Sequence, residues 1–215
     1  MWLWRIVFCL IMETSELKKV LRQAKYELST QNINKLPEDQ GQEWAFMGRS
    51  NAGKSSLLNS LTGSKIAKTS KTPGRTQCMN VFSLNQYARL VDFPGYGFAK
   101  VNKKQQDIWQ AMIGNYLHYR NCLSGICIIT DIRHVGIKTD LDFFNLACAY
   151  EVPILIVLNK SDKLSKNKIA NAKKDMQNII KVFNHKHISI QEYSAFNNTG
   201  NEQLIQWLSQ CAIPS

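Results

Sequence analysis

Apolar residues along the chain follow two different spacings. Short runs of consecutive apolar residues, typical of strands buried on both faces, alternate with stretches in which apolar residues recur three and four positions apart, as on one helix face. The runs predict strands at residues 44–47, 79–84, 88–92, 125–131, 153–159 and 188–193. The other stretches predict helices at residues 54–61, 105–120, 138–150, 166–183 and 201–211. This alternation favours an α/β fold with helices on both faces of one sheet.

The short connection at residues 85–87 joins two of these strands. A link of this length is typical of a tight hairpin, whose strands run antiparallel. We therefore expect a six-stranded, mostly parallel sheet with one antiparallel strand.

The residues before the first predicted strand form an N-terminal extension. Residues 12–40 are predicted to contain a helix and a linker, and residues 41–215 a single domain. The helix starts near Glu13 and Glu16, and its apolar face carries Leu17, Val20, Leu21, Ala24 and Leu28. Residues 1–11 are apolar except for Arg5 and are shorter than the roughly 20 residues of a membrane-spanning helix. We expect a spurious or disordered segment there, with Met12 as an alternative start, and no stable membrane association.

The chain is strongly basic. Lys and Arg number 27 against 16 Asp and Glu, which gives a formal net charge of +11. Such a field favours polyanionic partners, either nucleic acid or an anionic membrane surface. The six cysteines include no CxxC pair, which favours reduced thiols and a cytoplasmic protein.

The sequence GRSNAGKS after the first strand fits the phosphate-loop pattern G-x-x-x-x-G-K-[ST]. Its glycines let backbone amides point at phosphate oxygens, Lys54 can reach the terminal phosphates, and the Ser55 hydroxyl can ligate Mg²⁺. The alternative is a turn that only caps a helix. The eight residues are Gly48, Arg49, Ser50, Asn51, Ala52, Gly53, Lys54 and Ser55.

Two further sequences, NKSD and YSA, end successive apolar strands and are predicted to bind a guanine base. Asp162 can accept hydrogen bonds from N1 and the exocyclic amine of guanine, whereas adenine offers an acceptor at N1. Lys160 can cover one face of the base, and backbone amides of YSA can contact O6. Each sequence alone can be a solvated turn. Together they contribute Asn159, Lys160, Ser161, Asp162, Tyr193, Ser194 and Ala195.

A further loop, DFPG, lies between these motifs and consists of Asp92, Phe93, Pro94 and Gly95. Asp92 can hold Mg²⁺ through water, and the Gly95 amide can contact the γ-phosphate; the alternative is an ordinary turn. Many GTPases carry after this glycine a glutamine that orients the attacking water, but this chain has Tyr96. We therefore expect slow unassisted hydrolysis, below ~10⁻² s⁻¹.

The sequences GRSNAGKSS, TPGRTQ, DFPGYG, NKSD and YSA resemble, in this order, those of the EngB (YihA/YsxC) family of bacterial GTPases. The resemblance covers the chain from the N-terminal helix to its end. It implies a P-loop GTPase domain of the translation-factor-like branch and a GTP-dependent role in assembly of the large (50S) ribosomal subunit. It also implies a need for the protein in normal cell growth and division. We expect a cytoplasmic monomer.

The same resemblance extends the site to the connection before the second strand. By similarity, the nucleotide also contacts Gly74, Arg75, Thr76, Gln77 and Cys78. Mg²⁺ is implied to bind Ser55 and Thr76, although a passive loop is the alternative. The residues expected to act in hydrolysis are Lys54, Thr76, Gly95 and Asn51. Asn51 resembles the K⁺ ligand of potassium-stimulated GTPases, or it only tolerates an unusual loop conformation; K⁺ is therefore a second candidate cofactor.

Basic residues form three groups. The first two flank predicted nucleotide-sensing loops and can present positive charge to rRNA phosphates when GTP orders those loops. The third is expected to solvate a helix face. The groups are Lys65, Lys68, Lys71 and Arg75; Lys100, Lys103 and Lys104; and Lys163, Lys166, Lys168, Lys173 and Lys174. Two alternatives stay open: a membrane-associated signalling GTPase that uses the first twelve residues, and a scaffold that binds GTP without hydrolysing it.

Overall fold

The computed structural model describes residues 13–67, 78–97, 103–183 and 185–211, with side chains from 107 onward in the third range. The helices are α1 (Thr14–Leu21), α2 (Lys54–Thr62), α3 (Lys103–Tyr119), α4 (Lys138–Ala147), α5 (Lys166–Ile180) and α6 (Asn201–Gln210). The strands are β1 (Lys25–Thr30), β2 (Gln42–Gly48), β3 (Met79–Ser83), β4 (Ala88–Asp92), β5 (Leu123–Asp131), β6 (Ile154–Asn159) and β7 (Ile188–Glu192).

The strands form one sheet in the order β1-β3-β4-β2-β5-β6-β7. Strand β3 runs antiparallel to both of its neighbours, and the remaining pairs are parallel. This confirms the mostly parallel sheet with one antiparallel strand. The hairpin between β3 and β4 is also confirmed, with the Leu84 amide donating to the Ala88 carbonyl at 2.8 Å.

The prediction of six strands was wrong, because the described residues form a seventh, β1, at the sheet edge. The predicted N-terminal helix was correspondingly too long: it ends at Leu21, and Leu28 lies in β1. The rings of Tyr26 in β1 and Phe82 in β3 pack edge-to-face, with centroids 6.2 Å apart. Pairing with β3 therefore overrides a helical spacing that continued past the helix end.

Two apolar layers cover the two faces of the sheet, as expected. In β2, the side chains of Trp44 and Phe46 enter one layer, and those of Ala45 and Met47 enter the other. The first layer includes buried residues of α1, α2 and α6, and the second those of α3, α4 and α5. All seven residues of β2 are buried. This central strand therefore provides a rigid support for the loop that follows it.

All the described strands except β3 run in the same direction and end at the same edge of the sheet. The five of them that pair in parallel end at Gly48, Asp92, Asp131, Asn159 and Glu192. Ligand sites of open α/β sheets lie outside this carboxyl edge. The fold therefore brings together motifs that lie more than one hundred residues apart in the sequence.

Candidate functional site

The loop between β2 and α2 is held in a tight curve. Gly53 has φ of 94°, and a Cβ there would lie 2.3 Å from Nδ2 of Asn159. A Cβ on Gly48 would lie 2.5 Å from the Ile129 carbonyl oxygen. Asn51 also adopts a positive φ, 64°, a conformation that asparagine tolerates better than most residues. Space thus requires both glycines, and at Gly53 the backbone conformation requires one as well.

Lys54 begins α2 and forms an ion pair with Asp92 at the end of β4. Both side chains are almost buried, with 10% and 8% of their surface exposed. The Phe93 amide donates to the Phe46 carbonyl at 3.0 Å and fixes the start of the DFPG loop beside β2. The lysine predicted to reach phosphates and the carboxylate predicted to act near Mg²⁺ therefore meet.

The residues present fit Mg²⁺ by their chemistry. Mg²⁺ prefers oxygen ligands and usually keeps several waters, and Ser55 and Asp92 offer a hydroxyl and a carboxylate. The Ser55 hydroxyl forms no hydrogen bond with any described residue. Thr76, the other predicted ligand, lies outside the described residues.

The predicted base-binding loop is tied to the phosphate loop by two hydrogen bonds. Asn159 donates from Nδ2 to the Ala52 carbonyl at 2.8 Å, and Lys160 donates from Nζ to the Asn51 carbonyl at 2.5 Å. Asn159 is 1% exposed. Lys160 has φ of 69°, in the left-handed region. The NKSD and GRSNAGKS loops are thus held side by side.

Asp162 is held in its ionised form. The Ser194 hydroxyl donates to one carboxylate oxygen at 2.6 Å, and Lys163 Nζ lies 2.9 Å from the other. The hydrogen bond from Ser194, followed by that from Lys163, lowers the pKa of Asp162 below its usual 3.8. Asp162 is therefore a charged acceptor at neutral pH, as recognition of guanine requires.

The YSA loop is anchored to its neighbours through Tyr193. The Tyr193 hydroxyl lies 3.0 Å from both Ser60 Oγ and Asn201 Oδ1 and has one proton to donate between them. Burial raises its pKa to about 12. The Ser161 amide donates to the Tyr193 carbonyl at 3.0 Å. Ala195, half-buried, follows at the surface of this loop.

Tyr96 points into the interior. Its ring stacks on Phe143 with centroids 5.1 Å apart and lies 5.5 Å from Trp109. The Trp109 indole also donates to the Pro94 carbonyl at 3.1 Å. Burial, followed by the Asp140 carboxylate, raises the pKa of Tyr96 well above 10. The side chain after Gly95 is thus packed between α3 and α4.

Asp131, at the end of β5, is a positioning residue that sequence reasoning missed. It accepts hydrogen bonds from Arg133 at 2.9 and 2.7 Å and from Lys160 at 2.9 Å. Burial alone would raise the pKa of Asp131, but these hydrogen bonds outweigh it and hold the pKa well below 3.8. An acid at the end of a buried strand was the available signal.

Several predicted residues lie outside the described part of the chain. These are residues 1–11, Gly74, Arg75, Thr76, Gln77, Lys68, Lys71, Lys100 and the side chains of Lys103 and Lys104. Cys78 is half-buried just before β3, and Lys65 is exposed. None of the helices within the described residues has the length and apolar character needed to cross a bilayer.

Comparison with known proteins identifies close relatives. A family model described as 50S ribosome-binding GTPase matches residues 43–160. The probable GTP-binding protein EngB of Coxiella burnetii (strain CbuK_Q154) is 46% identical over 190 residues, covering 88% of this chain and 92% of the relative. Its counterpart in Pasteurella multocida (strain Pm70) is 42% identical, with 93% and 98% covered. A crystal structure of a probable GTP-binding protein engB has a TM-score of 0.61 at 22% identity, covering 79% and 98%.

Proposed function

Because the chain belongs to the EngB family of GTP-binding proteins and is a GTPase, we propose that it is a slow, GTP-dependent switch in large-subunit assembly. One observation carries the proposal: the phosphate loop, Asp92, and the Asp162–Ser194 pair lie at a single sheet edge. The description of the matching family model supports the ribosomal partner.

In this proposal, the chain binds the two ends of GTP with different elements. Backbone amides of residues 48–55 and Lys54 hold the phosphates, Asp162 accepts from N1 and the amine of guanine, and the amide of Ala195 reaches O6. Lys54 exchanges Asp92 for phosphate oxygens when the nucleotide enters. The Asn159 bond to Ala52 keeps the two ends at a fixed separation.

Ser55 and Thr76 would hold Mg²⁺ directly and Asp92 through water, and the ion supplies positive charge to the β- and γ-phosphates. Catalysis of phosphoryl transfer is mostly positioning and charge stabilisation. The inward Tyr96 leaves that loop without a water-orienting side chain, which supports unassisted hydrolysis below ~10⁻² s⁻¹.

A K⁺ ion at Asn51 would add charge stabilisation where other GTPases use an arginine. The side-chain amide of Asn51 forms no hydrogen bond with the described residues, so its oxygen is free to ligate K⁺. The positive φ of Asn51 offers a second explanation for the asparagine. Hydrolysis faster in KCl than in NaCl at equal ionic strength favours the ion, and equal rates favour the backbone explanation.

In this proposal the switch is itself a cytoplasmic monomer, and its net charge of +11 favours binding to rRNA. Loops ordered by GTP set their lysines against rRNA phosphates, and hydrolysis releases them. The role in cell growth and division follows from ribosome supply. The membrane alternative depends on the first twelve residues, which lie outside the described part.

Sedimentation with large-subunit particles tests this function. We expect the protein to pellet with precursor particles in the presence of a non-hydrolysable GTP analogue, less so with GDP, and to be released by increasing salt. Equal pelleting with both nucleotides contradicts a switch. Binding to anionic vesicles that is lost when the chain starts at Met12, without binding to particles, supports the membrane alternative.

A further inference from the structure

A cavity of about 370 Å³ adjoins the outer side of the phosphate loop. It is lined by Arg49, Ser50, Asn51, Gly97, Asp131, Arg133, His134 and Lys160. The phosphate-contacting Lys54 and Ser55 are not among these residues. Gly97, Arg133 and His134 contact no part of the nucleotide in the site proposed above, and Arg133 reaches that site only through its hydrogen bonds to Asp131. The cavity is thus a neighbour of the GTP site and shares its loop as a wall.

The lining is polar throughout, with no apolar side chain. Pockets for small organic ligands are mostly apolar with a few polar groups, so this lining favours a hydrated, charged ligand. Three permanent cations, Arg49, Arg133 and Lys160, line the cavity together with one carboxylate, Asp131, which accepts hydrogen bonds from Arg133 and Lys160. The excess positive charge selects an anion.

The cations are arranged with unused donors. Arg133 donates from Nε and one terminal nitrogen to Asp131, and 42% of its side chain is exposed. His134 is exposed, and neither it nor Arg49 donates a side-chain hydrogen bond to any described residue. The Arg49 stem lies against Gly97, where a Cβ would be 2.9 Å from its Cγ. Asp131 thus fixes Arg133 and Lys160 in place without using all their donors.

We propose that this cavity binds a backbone phosphate of ribosomal RNA. Arginine, lysine, histidine, serine and asparagine are side chains that contact nucleic-acid phosphates. An arginine supplied by a protein partner would be repelled by Arg49, Arg133 and Lys160 on this approach to the phosphate loop, whereas RNA is attracted. The inference rests on the proposed function and specifies where the particle contacts the protein.

The variant Arg133→Gln with His134→Gln tests the cavity, because neither side chain contacts the nucleotide in the proposed site and Lys160 keeps its own hydrogen bonds to Asp131 and the Asn51 carbonyl. Removing one phosphate contact should lower the slope of log K against log salt by about one and weaken binding about eightfold at 0.1 M salt. The measurements are cosedimentation with large-subunit particles and titration with deproteinised large-subunit rRNA, both with a GTP analogue. Arg133→Lys with His134 intact should retain most of the affinity.

A matched control removes the same residue types elsewhere. Arg22 and His187 are exposed and precede β1 and β7, at the opposite edge of the sheet. Arg22→Gln with His187→Gln should bind particles and rRNA like the unaltered chain. Titration with a fluorescent GTP analogue should give the same affinity for all variants, and thermal melting should confirm that they are folded.

Each remaining outcome overturns the proposal. Equal binding and salt dependence of the Arg133/His134 variant and the unaltered chain exclude the cavity while leaving the proposed function intact. A loss on particles but not on naked rRNA identifies a ribosomal protein as the occupant. A parallel loss of GTP affinity places both residues in the nucleotide site. Failure of the unaltered chain to bind particles overturns the proposed function together with the cavity.

Discussion

The Asp162 carboxylate determines which base the site accepts. Ser194 and Lys163 hold its two oxygens in place, and replacement by asparagine turns one acceptor into a donor that faces the donors of guanine. Hydrogen bonds to charged groups are worth about 1.5–3 kcal/mol each. We therefore expect Asp162→Asn to lower GDP affinity by at least about 100-fold, measured by calorimetry.

The control for this substitution is Asp175→Asn, which neutralises an exposed carboxylate on α5. GDP affinity of the control should be unchanged, and ADP should bind the unaltered protein far more weakly than GDP. Because the pKa of Asp162 is lowered, its acceptor role should persist down to about pH 4. GDP affinity of Asp162→Asn within threefold of the original would show that the base is read elsewhere.

Tyr96 fixes the DFPG loop to α3 and α4. Its ring is 6% exposed and contacts Phe143 and Trp109. Truncating a buried aromatic side chain costs about 3–5 kcal/mol, so Tyr96→Ala should lower the free energy of unfolding by that amount in urea titrations.

Tyr96→Phe retains the ring and should hydrolyse GTP at the original rate, because the hydroxyl faces the interior. A tenfold fall in kcat for Tyr96→Phe would assign the hydroxyl a catalytic role.

The sequence predicted elements well where apolar runs were long and ended in a motif. Strands β4 and β6 were placed within one residue of their bounds, and the phosphate and base loops follow the strands expected. Helices α4 and α5 were predicted too long, because Tyr150 and Phe183 pack on the core after each helix has ended. Strand β1 was missed because only its partner β3 distinguishes it from a continuing helix. The inward direction of Tyr96 depends on Phe143 and Trp109, which no local pattern reveals.

An ionic cluster lies at the sheet edge opposite the nucleotide site. Glu43 is 0% exposed and accepts from Arg89 at 2.9 Å, from Arg120 at 2.9 and 2.5 Å, and from Tyr116 at 2.9 Å. Removing one partner of a buried ion pair lowers stability by about 3–5 kcal/mol because the other charge is left buried and unpaired. Glu43→Ala should lose that much stability in urea.

The control for Glu43 is a pair at the surface. Glu192 lies 3.3 Å from Lys173, with 35% and 38% of the side chains exposed, and Glu192→Ala should cost about 0–1 kcal/mol. Glu43→Gln retains acceptor and shape and should fold if the alanine variant does not, with a smaller loss. Equal stabilities for Glu43→Ala and Glu192→Ala would show that the buried cluster contributes nothing net.

Alkaline pH should unfold this protein through its buried phenols and thiols. Burial raises the pKa of Tyr193 from 10 to about 12 and that of Cys211 from 9 to about 12, and it raises those of Tyr116 and Cys127 well above their usual values. A raised folded pKa gives stability that is complete below the unfolded pKa and lost as pH rises towards the folded one. Each group then lowers the free energy of unfolding by up to about 1.4 kcal/mol per pH unit.

Urea midpoints should be constant from pH 7 to 8.5 and fall steeply between pH 9 and 11, less steeply in Tyr193→Phe. Constant midpoints up to pH 11 would mean that these groups ionise without unfolding the chain.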